Sequence, residues 1–327
     1  MSTDTTDTVS DASQENAVRV NWGGIGLFLL LAFVISWACF IGLRALGLPL
    51  PIYAAVGMFG PALAALLTRL IRREGFADAG LRLVGRGRRG GAWMYLAAYL
   101  VPPLLIAAGI GFVLLVGYQH WALNENMQKL GASLVESLRK AGQPVPNGMT
   151  PEQLGWTSLL AQTAAAFTVA LLINSVFTFG EEFGWRGYLL PKLAPLGGVV
   201  AAIITGAIWG LWHAPLIILD GYNYPGHPAL GVLMMIVFCS ALGVIQAWLR
   251  FRSGSVWPPV LAHAAVNAQT GFAILCLTHG DSLLSAPIGL LGLVPMIALA
   301  IVLVVTGRLK PDVPAAAAEP RESQGTM

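Results

Sequence analysis

Apolar residues along this chain fall in long unbroken runs, with none of the one-in-two alternation of strands. The runs extend roughly from Trp22 to Leu46, Ile52 to Ile71, Trp93 to Tyr118, Trp156 to Phe179, Gly198 to Leu219, Leu230 to Leu249, Val256 to Leu277 and Pro287 to Val305. Each is close to the roughly 20 apolar residues that a helix needs to cross the hydrocarbon core of a bilayer. The pattern predicts an all-α fold, a polytopic membrane helix bundle with about eight transmembrane helices over residues 21–306. Pro102-Pro103 predicts a kink in the third span. The longest connection, 119–155, carries an amphipathic stretch (Met127, Leu130, Leu134, Leu138) that predicts an interfacial helix. Residues 1–20 read as a polar N-terminal segment. Residues 307–327, rich in Ala, Pro and Glu, read as a disordered tail. Met1–Gln14 is polar and acidic, and the first apolar run is too long for a signal peptide, so it predicts an anchor.

Composition agrees. Of 327 residues, 56% are hydrophobic and 11% charged, and the mean hydropathy is +0.70. Soluble domains carry about a quarter charged residues, so the natural solvent of this chain is the lipid bilayer. A net charge of +3 argues against a nucleic-acid partner. Cys39, Cys239 and Cys276 lie in apolar runs without metal-knuckle or CxxC spacing, and predict neither disulfide nor metal site. Basic residues carry the topology. With the N-terminus inside and eight spans, fifteen Lys and Arg fall on inner segments and four (Arg44, Lys129, Arg139, Lys140) on outer ones. By the positive-inside rule both termini are cytoplasmic. The expected location is multi-pass integral membrane, in a bacterial inner membrane.

Ionisable groups inside a membrane cost roughly 2.5–3.5 kcal/mol each on insertion scales and therefore call for a function. Three clusters stand out. In Phe179-Gly180-Glu181-Glu182-Phe183-Gly184-Trp185-Arg186, expected at the cytoplasmic end of the fourth span, Glu182 and Arg186 are four apart in the favourable acid-first order. Glu181 points about 100° away and is the candidate general base. In Trp209-Gly210-Leu211-Trp212-His213, Trp209 lies one helical turn before His213 and can wall a site from water. In His263-Ala264-Ala265-Val266-Asn267, the His and Asn share one helix face and can donate to a developing oxyanion. Each cluster alone is compatible with helix-stitching polar pairs. Together they predict a carboxylate and an imidazole that activate water, and two donors that polarise an amide carbonyl, with no covalent intermediate. His120, His227 and His279 fall in predicted outer loops and read as surface residues. Asp220-Gly-Tyr-Asn-Tyr-Pro-Gly reads as turn chemistry.

The strings Glu181-Glu182…Arg186, Trp209…His213 and His263…Asn267 resemble the EExxxR, FxxxH and HxxxN motifs of the CPBP family, the CAAX-protease and bacteriocin-processing (Abi) membrane endopeptidases. The resemblance covers about residues 156–277. It implies an eight-helix intramembrane protease acting on a peptide or membrane-protein substrate. Glu181 and His213 would activate water, and His263 and Asn267 would form the oxyanion hole. Trp209 stands where the family usually has Phe. The resemblance leaves zinc open, with Glu181, His213 and His263 as the ligand set if a metal is present; neither HExxH nor another close ligand pair occurs, and the metal-free mechanism is the expectation. Serine, aspartyl and HExxH-type intramembrane proteases lack their motifs here. The alternative is a non-proteolytic membrane protein such as a bacteriocin-immunity factor or scaffold.

Overall fold

A computed structural model describes residues 20–85 and 91–311. The predicted segments 1–20 and 307–327 lie almost wholly outside the described residues, as do Arg86, Arg88 and Arg89 of the charge count.

Every regular element among the described residues is helical; one isolated antiparallel bridge, Trp121 with Leu277, is the sole extended pairing. In chain order these are α1 (Trp22–Ala45), α2 (Leu50–Gly57), α3 (Gly60–Ile71), α4 (Trp93–Leu115), α5 (Leu123–Lys140), α6 (Pro151–Ala166), α7 (Val169–Gly184), α8 (Leu190–Leu193), α9 (Gly198–Trp212), α10 (Ala214–Asp220), α11 (Pro228–Ser253), α12 (Trp257–Gln269), α13 (Gly271–Cys276) and α14 (Leu290–Val305). Six helices, counting the broken ones α2–α3, α9–α10 and α12–α13 as units, are long and apolar enough to cross a membrane. The pair of α6 with α7–α8, bent by 50°, makes a seventh, and α14 is a shorter apolar helix. The chain is thus the predicted bundle of about eight crossings. The Thr150/Gln153 capping box starts α6, and Gly254 in the left-handed region ends α11. α4 holds Pro102 and Pro103 inside one helix. The amphipathic stretch forms α5, with Met127 buried.

Connections sort onto two faces. On one, Asn21 bonds Glu74, Lys192 pairs with Glu74 and Asp78, Val256 bonds the Gly80 carbonyl, and Gly198 abuts Leu309. Both described chain ends lie here; this is called the terminal face below. On the other, Arg44 pairs with Asp220 at 2.8 Å, His227 with Asp281 at 3.0 Å, and Trp121 meets Leu277. His227 is therefore paired and half-buried, whereas His120 and His279 are exposed as expected. The three cysteines are free.

Close helix approach sets the site. Cβ atoms added at Gly206 and Gly210 of α9 would stand 2.6 Å from the Cys239 carbonyl and 2.5 Å from the Ile236 Cα of α11. Only glycine allows this spacing, which seats Trp209, between the two glycines, against α11. The fourth span departs from its predicted boundary. Helix continues past Phe179 through α7, a π turn at Trp185–Leu189, and α8. Lys192, which marks the terminal face, lies roughly 15 Å further along than Glu182 at 1.5 Å per residue. Glu181 and Glu182 are accordingly deep in the bundle, at 2% and 0% exposure.

Candidate active site

The three sequence clusters meet around Trp209. Its indole N–H donates to Glu181 Oε2 at 2.5 Å, and its carbonyl oxygen lies 2.9 Å from His213 Nδ1. The His263 ring stands edge-on to the indole with centroids 5.0 Å apart. The Arg186 guanidinium lies over the indole at 4.5 Å. Trp209 was expected to be an aromatic wall; it is that, and also a donor to the candidate base.

Protonation at His213 follows from its partner. A carbonyl oxygen only accepts, so Nδ1 carries the hydrogen and Nε2 keeps its lone pair. In the neutral ring the backbone bond thus fixes the tautomer and leaves Nε2 as the free, basic nitrogen.

Glu182 behaves partly as expected. Its Oε1 accepts from Arg186 Nη1 at 2.8 Å, the predicted i,i+4 pair. The same oxygen also lies 2.9 Å from His263 Nδ1, a contact that sequence reasoning missed. Glu182 therefore ties α7 to α12, alongside a bond from Thr178 Oγ1 to the Val260 carbonyl at 3.1 Å. With Nδ1 committed to Glu182, His263 can donate to an oxyanion only through a protonated Nε2. A donor His263 is thus an imidazolium balanced by Glu182.

A cavity of about 370 Å³ opens beside these groups and is lined by Trp209, His213, His263, Asn267, Tyr222 and Asn223 among others. The volume falls within the ~300–1,000 Å³ range of ligand pockets. Asn267, one turn beyond His263, is exposed to it. Glu181 is not among its lining residues and stands behind the Trp209 indole. Tyr222, which sequence analysis read only as part of a turn, stacks nearly parallel to His213 with centroids 6.5 Å apart. Burial, and then the negative charge of Glu181, push its hydroxyl up from its usual range, so it stays a donor. An aromatic beside a turn Asn carries no sequence signal that separates it from ordinary loop chemistry.

The cavity reaches Leu50 and Pro51 at the start of α2 and Tyr222 and Asn223 after α10, near the face opposite the described chain ends.

The residues also bear on the metal set raised from sequence. Among the described residues no three His, Cys, Asp or Glu side chains converge on a common centre. Glu181, His213 and His263 are instead arranged around the Trp209 indole.

Comparison with known proteins agrees with the motifs. Residues 159–269 match the family described as type II CAAX prenyl endopeptidase Rce1-like. A stretch of 164 residues, 49% of this chain, is 26% identical to the CAAX prenyl protease 2 of Methanococcus maripaludis and covers 58% of that protein. The chain thus spans rather more than half the length of this curated relative. The matched segment contains Glu181, Glu182, Arg186, Trp209, His213, His263 and Asn267. The resemblance read from the motifs is borne out: residues 159–269 of this chain are similar to the Rce1-like family, consistent with the CPBP motifs.

Proposed function

We propose that the chain is an intramembrane endopeptidase that hydrolyses a peptide bond with activated water. The observation that supports it best is the gathering of His213, His263 and Asn267 on one cavity, with Glu181 one indole away. Water gives a proton to Glu181, assisted by Nε2 of His213, and its oxygen bonds to the carbonyl carbon. His263 Nε2–H and the Asn267 amide donate to the oxyanion. Collapse breaks the C–N bond, and the proton held by Glu181 passes to the leaving nitrogen. Glu182 positions His263, and Arg186 in turn holds the Glu182 carboxylate in place through their ion pair. No step needs a metal. The Rce1-like match supports a peptide or membrane-protein substrate.

Purified protein in detergent, presented with a peptide library, tests this reading. Asn267→Ala is expected to lower kcat about 10²- to 10³-fold with KM nearly unchanged, the usual loss for one oxyanion donor. A strong chelator is expected to leave wild-type cleavage intact. A kcat unchanged in Asn267→Ala removes it from the mechanism, and cleavage abolished by chelation and restored by zinc removes the metal-free scheme.

Trp209 offers a finer test. Trp209→Phe keeps the aromatic wall and deletes the N–H to Glu181. A hydrogen bond to a charged group is worth ~1.5–3 kcal/mol, so kcat is expected to fall about tenfold or more with KM within about twofold. An unaltered kcat would show that the indole N–H does not orient the base.

A further inference from the structure

The π turn that follows Glu182 leaves two adjacent carbonyl oxygens without their helical donors. Leu190 gives its N–H to the Trp185 carbonyl, five residues back, and so not to that of Arg186. The donor due to the Gly187 carbonyl would come from position 191, which is Pro191 and has no N–H. Both residues are buried, and buried carbonyls need partners. Each finds an arginine from another helix. Arg250 of α11 donates through Nε to the Arg186 carbonyl at 3.1 Å. Arg69 of α3 donates through Nη2 to the Gly187 carbonyl at 2.9 Å. Asp78, in the connection after α3, ties the two arginines together. Its carboxylate accepts from Arg69 Nη1 at 2.7 Å, and its carbonyl accepts from Arg250 Nη2 at 2.7 Å. The fit is close: a Cβ added at Gly80 would stand 2.6 Å from Arg250 Cζ. Arg69 is 1% exposed, and its guanidinium lies over the Tyr188 ring, 5.1 Å from the centroid.

We infer that Arg69 and Arg250 are positioning residues for the candidate site, acting on it through the backbone of the π turn. Neither lines the cavity. The residue whose carbonyl Arg250 holds is Arg186, and the Arg186 side chain meets Glu182 at 2.8 Å and the Trp209 indole at 4.5 Å. Glu182 in turn holds His263. π turns are rare and occur mostly at functional sites. Here the two guanidinium groups offset the cost of the turn by satisfying the carbonyls it frees. Without them the turn loses its outside partners, and Arg186 loses its fixed place between Glu182 and the indole. The effect on turnover rests on the proposed hydrolase; the bracing of the turn does not.

Hydrogen exchange on the full chain in detergent, followed by mass spectrometry, reads the brace, and peptide cleavage reads its consequence. Arg250→Met removes the donors and keeps much of the side-chain length. Arg69→Lys keeps a charge for Asp78 but not the planar fork that also reaches Gly187, and carries the test alone if Arg250→Met does not fold. Each is expected to speed exchange over residues 183–193 about tenfold or more, while α5 exchanges as in the wild type. In each, kcat is expected to fall about 10- to 10²-fold with KM within about twofold, as a small misplacement remote from the chemistry does. Arg250→Lys, which still reaches one carbonyl at a time, is expected to recover kcat to within about threefold of the wild type. Adding Glu182→Gln to Arg250→Met is expected to cost little beyond the larger single loss, because both act through one chain of contacts. Losses that multiply would mark a general structural role and overturn the positioning. Unchanged exchange over 183–193 overturns the bracing, and faster exchange with unchanged kcat overturns its link to the site. A wild type that cleaves nothing defeats the hydrolase reading instead, and exchange still decides the brace.

Discussion

Glu181→Gln is expected to lower kcat for peptide cleavage by about 10³-fold, within the ~10²–10⁴-fold range of a general base. The amide keeps an oxygen that accepts the Trp209 N–H and keeps the side-chain volume, so the thermal unfolding midpoint in detergent should stay close to that of the wild type. Single-turnover cleavage of a peptide found with the wild type separates chemistry from product release. Because Glu181 stands behind the indole, the loss should fall on kcat and leave KM nearly unchanged. Cleavage at the wild-type rate would assign proton abstraction to another group, with His213 Nε2 the next in line. A collapse of the unfolding midpoint would show instead that Glu181 is structural.

Glu182→Ala is the substitution expected to damage the fold most. It leaves the Arg186 guanidinium and the His263 ring, both buried, without the carboxylate they share. Removing one member of a buried charge pair costs about 3–5 kcal/mol, because the remaining charge is stranded. Denaturant-induced unfolding in mixed micelles would read the loss. Glu136 of α5 supplies the contrast. Arg139 holds its carboxyl below the usual range, yet the pair is exposed, and Glu136→Ala should leave the unfolding curve in place. Equal effects from both would mean that burial does not set the strength of the Glu182 contacts. Glu182→Gln separates shape from charge: a partial recovery of stability without recovery of kcat is expected, since a neutral amide cannot balance a His263 imidazolium.

The spans are legible in the sequence because apolar length alone decides what can cross a bilayer, and the runs from Trp22, Trp93 and Gly198 open at or next to the observed helix starts. The Glu182–Arg186 pair is legible because it is local: four residues on a helix share a face. Glu182 with His263 is not, since 81 residues separate them and only the packing of α7 on α12 brings them together. Trp209 illustrates a different limit. Its spacing predicts a neighbour of His213, which it is, but the direction of the indole N–H depends on how closely Gly206 and Gly210 let α9 approach α11.

The position of both described chain ends has a practical corollary. Val20, beside Trp22, and Pro311, beside Gly198, sit on the terminal face, away from Tyr222 and Asn223 of the cavity lining. A fluorescent reporter introduced at Val20 or Pro311 would therefore stand clear of the candidate site, an arrangement suited to following peptide binding without crowding the cavity.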